Sequence, residues 1–114
     1  MASITIERPA TETRKRPVRR SKPQLIPRYA LILHNDNING FDFVIGVLQK
    51  VLGYTQSKAL WLTLKAHTTG AATIFTGSLE LAELRAEQIT ACGPDPRKVA
   101  DGAQPLRLSI EPLD

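Results

Sequence analysis

Between Tyr29 and Phe43 the chain reads YALILHNDNINGFDF, and within that stretch the spacing of apolar residues changes from two to three and four. Tyr29, Leu31 and Leu33 alternate with Ala30, Ile32 and His34, apolar on both faces until His34, as in a largely buried strand. From Phe41, the residues Val44, Val47, Leu48, Val51 and Leu52 recur at helical steps. Asn35-Asp36-Asn37-Ile38-Asn39-Gly40 joins the two runs. Four short Asn and Asp side chains at the mouth of a strand-to-helix turn suit the capture of something small and cationic. They are also good turn residues in their own right.

The rest of the chain extends this pattern. Asn39 is positioned as an N-cap, Asp42 lies in the first helical turn where the dipole favours negative charge, and Gly53 is a stop. A second helix starts near Thr55 or Ser57, with Ala59, Leu60, Leu62, Thr63, Ala66 and His67 at inward or boundary positions, and ends at Gly70. Ala71–Thr76 reads as a short strand. Ser78 caps a third helix with one apolar stripe, Leu79, Ala82, Ala86 and Ile89, which Gly93-Pro94 ends. Residues 93–105 read as a loop. Leu106, Leu108 and Ile110 then alternate with Arg107, Ser109 and Glu111, a half-buried strand. The order β-α-α-β-α-β implies an α+β fold: one small sandwich, a three-stranded antiparallel sheet with three helices on one face.

Charge divides the chain in two. Residues 1–28 carry eight basic and two acidic side chains and four of the eight prolines, whereas the remainder carries seven basic and nine acidic. A disordered basic extension over 1–28 and a core domain over 29–114 are expected, because the extension has too little apolar area to offset ordering entropy. It is either a solvated tail or one that a partner grips. With no aromatic residue interleaved, base stacking is unsupported, and nucleic acid is not an expected partner. A single cysteine, Cys92, allows no intramolecular disulfide and fits a cytoplasmic location. No apolar run is long enough for a membrane span.

Catalytic signatures are missing from the sequence: no HxxxH or CxxC spacing, no GxGxxG, P-loop or GxSxG. Neither an enzyme nor a metal or cofactor is expected. His67 reads either as a boundary histidine or, if the opening turn lies beside it, as part of a site.

Three segments together carry a resemblance. Leu31-Ile32-Leu33-His34-Asn35-Asp36-Asn37, Phe43-Val44-Ile45-Gly46-Val47-Leu48-Gln49-Lys50-Val51 and Ala66-His67-Thr68-Thr69-Gly70 resemble the ClpS family, adaptors of the Clp AAA+ protease. The likeness spans about residues 28–112. It implies a non-enzymatic monomer that binds substrates with a bulky hydrophobic N-terminal residue (N-degrons) and delivers them to a Clp unfoldase of the ClpA or ClpC type. By that resemblance Asn35, Asp36, Asn37 and His67 hold the α-amino group. Ile38, Asn39, Phe41, Thr63, Ala66 and Leu106 form the side-chain pocket, while Glu80 and Arg85 touch the unfoldase or lie on a solvated helix face.

The sequence departs from the family pattern at the site itself. Asn37 stands for the second Asp of an Asn-Asp-Asp turn, and Asn39-Gly40 for Thr-Pro, which implies a looser turn. Phe41 stands for a gating Met, Thr63 for an apolar residue and Ala66 for a larger Val. An altered preference is therefore expected. The alternative is a ClpS-like domain that docks on a Clp chaperone and modulates it without efficient N-degron binding.

Overall fold

In the computed structural model, which describes residues 26–113, the elements follow in the expected order. They are β1 (Tyr29–His34), α1 (Phe41–Leu52), α2 (Gln56–Thr69), β2 (Ala71–Gly77), α3 (Leu79–Ala91) and β3 (Leu108–Pro112). Most of the basic extension, residues 1–25, lies outside the described residues.

β1 is the central strand of an antiparallel sheet ordered β2-β1-β3. Its register places Leu31 between Phe75 and Ile110, and Leu33 between Ala72 and Leu108, all toward the helices. On the other face Ile32 lies between Thr73 and Ser109, and Ala30 between Thr76 and Glu111. His34 on that face shares a 2.7 Å hydrogen bond with Ser109 Oγ. The register slips between Leu31 and Ile32 and leaves Ile74 without a β1 partner. The Ile74 carbonyl accepts instead from the Tyr54 hydroxyl at 2.6 Å. Burial raises the Tyr54 pKa, which keeps that hydroxyl a donor.

Helices α2 and α3 pack on the strands, and α1 packs across both helices. Leu31, Leu33, Leu48, Leu62, Ile74 and Ile89 are buried at the centre of one continuous core. Thr55 and Ser78 cap α2 and α3 by accepting from the N–H groups of Lys58 and Leu81, both at 3.2 Å.

Four expectations are corrected. Asn39 does not cap α1; Gly40 is the N-cap, without a side-chain bond, because the Asn39 side chain is turned inward. The region read as a loop contains a 3-10 helix over Pro96–Asp101, capped by Asp95, whose carboxylate accepts from Arg97 N at 3.0 Å. Leu79 and Leu60 sit at apolar-stripe positions but are about 40% exposed, at 39% and 40%. The last strand begins at Leu108; Leu106 precedes it and is buried.

Candidate functional site

Asn35, the first residue beyond β1, joins three parts of the fold. Its N–H donates to Gly70 O at the end of α2 (2.9 Å), and Arg107 Nη2, just before β3, donates to its carbonyl (3.0 Å). Its side-chain Nδ2 donates to Asn37 Oδ1 at 3.2 Å, which leaves Asn35 Oδ1 available to another donor.

Asp36 makes the turn. Its Oδ1 accepts from Ile38 N (2.7 Å) and Asn39 N (3.1 Å), and its Oδ2 from Asn39 Nδ2 (2.5 Å). Burial alone would raise the Asp36 carboxyl, but these hydrogen bonds and the Arg107 charge together hold it below the ordinary carboxylate value. Asn39, only 4% exposed, uses its full side chain. Besides Asp36, Nδ2 donates to Gln104 O (2.8 Å), and Oδ1 accepts from Asp95 N (2.8 Å). The turn is therefore not loose: Asn39 pins it to the segment between α3 and β3.

His67 lies in the last turn of α2, exposed at the surface. Its ring meets Phe41 edge-on, with centroids 5.0 Å apart and planes at 75°. Among the described residues no hydrogen bond occupies its ring nitrogens. Gly70 closes the helix at φ 95°, with its N–H on Ala66 O (2.9 Å) and its C=O on Asn35 N. One glycine thus sets both the helix end beside His67 and the start of the turn. Gly70→Ala should cost about 1–2 kcal/mol, because a Cβ is disfavoured at positive φ. A thermal melt should show the midpoint falling by roughly 4–8 °C per kcal/mol.

These elements enclose a pocket lined by Leu33, His34, Asn35, Asp36, Asn39, Phe41, Val44, Thr63, Ala66, His67 and Leu106. Asp36 is its one carboxylate. Thr63 is buried, with its hydroxyl donating to Ala59 O at 2.7 Å, so the polar group is satisfied within α2. Space at the centre is about 20 Å³, enough for one water.

Eight of the ten expected amine and pocket residues meet here. Asn37 does not line the pocket but holds the Asn35 amide. Ile38 is 38% exposed and lies outside the lining. Glu80 and Arg85 are remote from it. Glu80 is exposed in the first turn of α3, and Arg85 bonds Gln88 (3.0 Å) beside a separate groove. Leu33, His34 and Val44 also line the pocket and were not assigned to the site from sequence, although each lies within three residues of one that was. Among the described residues no three His, Cys, Asp or Glu side chains gather in a metal-binding group, and no helix is long and apolar enough to cross a membrane.

The fold is that of the Clp protease adaptor domains. The family model described as "ATP-dependent Clp protease adaptor protein ClpS" matches residues 24–108. An ATP-dependent Clp protease adapter protein ClpS from Synechococcus elongatus is 38% identical over 106 residues, covering 92% of this chain and 99% of its own. The Myxococcus xanthus protein of that name is 30% identical, with 75% of each chain covered. The structure of Agrobacterium tumefaciens ClpS2 bound to L-phenylalaninamide superposes with a TM-score of 0.67 at 25% identity, covering 78% of this chain and all of that one. The chain belongs to the ClpS family of Clp protease adaptors.

Proposed function

We propose that this pocket binds the first residue of proteins with a free, bulky hydrophobic N-terminus. The adaptor then presents them to a Clp AAA+ unfoldase of the ClpA or ClpC type. The convergence of Asn35, Asp36 and His67 on the rim of an apolar pocket carries this reading. An α-ammonium offers three donors and no acceptor. Asn35 Oδ1 and the His67 ring nitrogens have no other partners among the described residues, and Asp36 supplies charge. L-phenylalaninamide, the ligand of the Agrobacterium relative, is an N-terminal residue reduced to its minimum, with a free amine and an aromatic side chain.

The magnitudes suffice. Charge-assisted hydrogen bonds contribute roughly 1.5–3 kcal/mol each. Burying a Leu or Phe side chain adds about 1.5–3 kcal/mol. Less ordering costs, the sum approaches the roughly −8 kcal/mol of micromolar binding. The narrow centre must widen to take a bulky side chain, and Phe41, edge-on to His67 and 39% exposed, is the lining side chain proposed to move. Once Phe41 moves, Thr63 and Ala66 leave more room than bulkier apolar residues would.

No step in this reading makes or breaks a covalent bond, so the proposed role is that of a non-enzymatic adaptor; a monomeric state and a cytoplasmic location are further parts of the proposal. Glu80 and Arg85 on α3 are proposed unfoldase contacts, and residues 1–28 a separate extension. The test is fluorescence anisotropy with peptides beginning Leu, Phe, Tyr or Trp and their N-acetylated forms. Free-amine peptides should bind and acetylated ones should not; equal affinity sinks the reading. Chaperone binding without peptide binding would instead favour a modulator whose pocket Asn37, Phe41 and Thr63 have compromised.

A further inference from the structure

The segment between α3 and β3 contributes more to the recognition turn than a connection needs to. Asp95 is 1% exposed, yet it lies on the surface-seeking stretch Gly93–Pro105. Its N–H donates to Asn39 Oδ1 (2.8 Å), its Oδ2 accepts from Gly40 N (3.2 Å), and its Oδ1 accepts from Arg97 N (3.0 Å). Arg97 Nε also lies 3.5 Å from that Oδ1. Asp95 thus reaches both residues that precede α1. Asn39 in turn holds Asp36, and Gly40 leads directly into Phe41.

Gly40 does not owe its identity to its dihedrals. At φ −73° and ψ 154° it adopts a conformation open to any residue, proline included. Two other features disfavour a side chain there, and proline most. A Cβ built on Gly40 would lie 3.1 Å from Asp95 Oδ2, tighter than ordinary contact. Proline would also delete the N–H that Asp95 accepts. Buried carboxylates need such donors, and a buried donor left without a partner is costly.

We infer that Asp95 is a positioning residue for the N-terminal-residue pocket, and that Gly40 and Asp95 are a matched pair in which each requires the other. The Asp95 carboxylate replaces the stiffness a proline would give the turn, and the missing side chain at Gly40 makes room for it. Through Gly40 and Asn39 it fixes the start of α1, hence Phe41, and the orientation of Asp36. The inference rests on the proposed recognition of N-termini.

The test is a double-mutant cycle of Asp95→Ala, Gly40→Pro and the two combined. It is read by Leu-peptide affinity and by amide hydrogen exchange at Ile38 and Asn39, and at Gly40 where glycine is kept, against amides of α2. Asp95→Ala should weaken binding several-fold and speed exchange in the turn while α2 protection is kept. Gly40→Pro alone should weaken it at least as much, because the ring meets the carboxylate. In combination the two should recover much of the lost affinity, since a proline turn no longer needs or meets Asp95; Asp95→Asn should fall between Ala and wild type. Additive losses in the cycle, or unchanged turn exchange in Asp95→Ala, overturn the inference. If the unmodified protein binds no free-amine peptide, the recognition reading falls and the positioning role with it. Turn exchange then still shows whether Asp95 orders Gly40.

Discussion

His67→Ala should weaken binding of a Leu-initial peptide by about 10- to 100-fold while leaving the melting temperature nearly unchanged. The loss corresponds to one charge-assisted hydrogen bond of roughly 1.5–3 kcal/mol, at about 1.4 kcal/mol per tenfold. Stability should hold because His67 is exposed and makes no hydrogen bond among the described residues; it gives up only the edge-on contact with Phe41. His67→Gln, which restores an acceptor, should recover part of the affinity. An N-acetylated Leu peptide should bind neither wild type nor His67→Ala, since the ammonium that His67 serves is then absent. A His67→Ala protein with full affinity would remove the imidazole from the site.

The elements that carry the pocket were legible where a local rule acts alone. Thr55 and Ser78 cap their helices, and Gly53 and Gly70 close theirs, because capping depends on neighbours within a turn. The apolar run over 29–34 marked a largely buried strand, but it is apolar on both faces, so only the register shows that Leu31 and Leu33 are the residues that meet the helices.

Asn39 shows where local rules stop. The sequence puts Asn39 at the N-cap, but the cap is Gly40, one residue later; a buried amide with an amide N–H, a carbonyl and a carboxylate in reach satisfies those groups first. None of these partners except Asp36 is close in sequence. The 3-10 helix was missed for a different reason: six residues show no apolar period. Asp95-Pro96, a capping residue followed by proline in the first turn, was the available signal. Arg107 read as a solvent-facing strand position, and only the fold brings its guanidinium to the Asn35 carbonyl. That contact has an electrostatic consequence. Arg107 draws on the charge of Asp36, the one carboxylate in the pocket lining among the described residues.

Replacing Asp36 should therefore produce the second large effect, and two variants separate its roles. Asp36→Ala removes the acceptor for Ile38 N, Asn39 N and Asn39 Nδ2 together. Both binding and thermal stability should fall, because two of these donors have no other partner in the turn. Asp36→Asn is milder for the fold. The two backbone N–H groups meet the same oxygen, Oδ1, which an amide retains. What it loses is the charge, and it sets an NH2 against the Asn39 NH2. Binding should drop about as far as in Asp36→Ala, while the melting temperature drops less. The pH dependence follows from the lowered carboxyl. A folded-state pKa below the ordinary 3.8 means that Asp36 contributes stability above that value and loses it as pH falls through the folded pKa. Acid titrations of wild type and Asp36→Asn, followed by circular dichroism, should converge below that range and separate above it. Equal peptide affinity in Asp36→Asn and wild type would reduce Asp36 to a turn residue and leave the ammonium to Asn35 and His67.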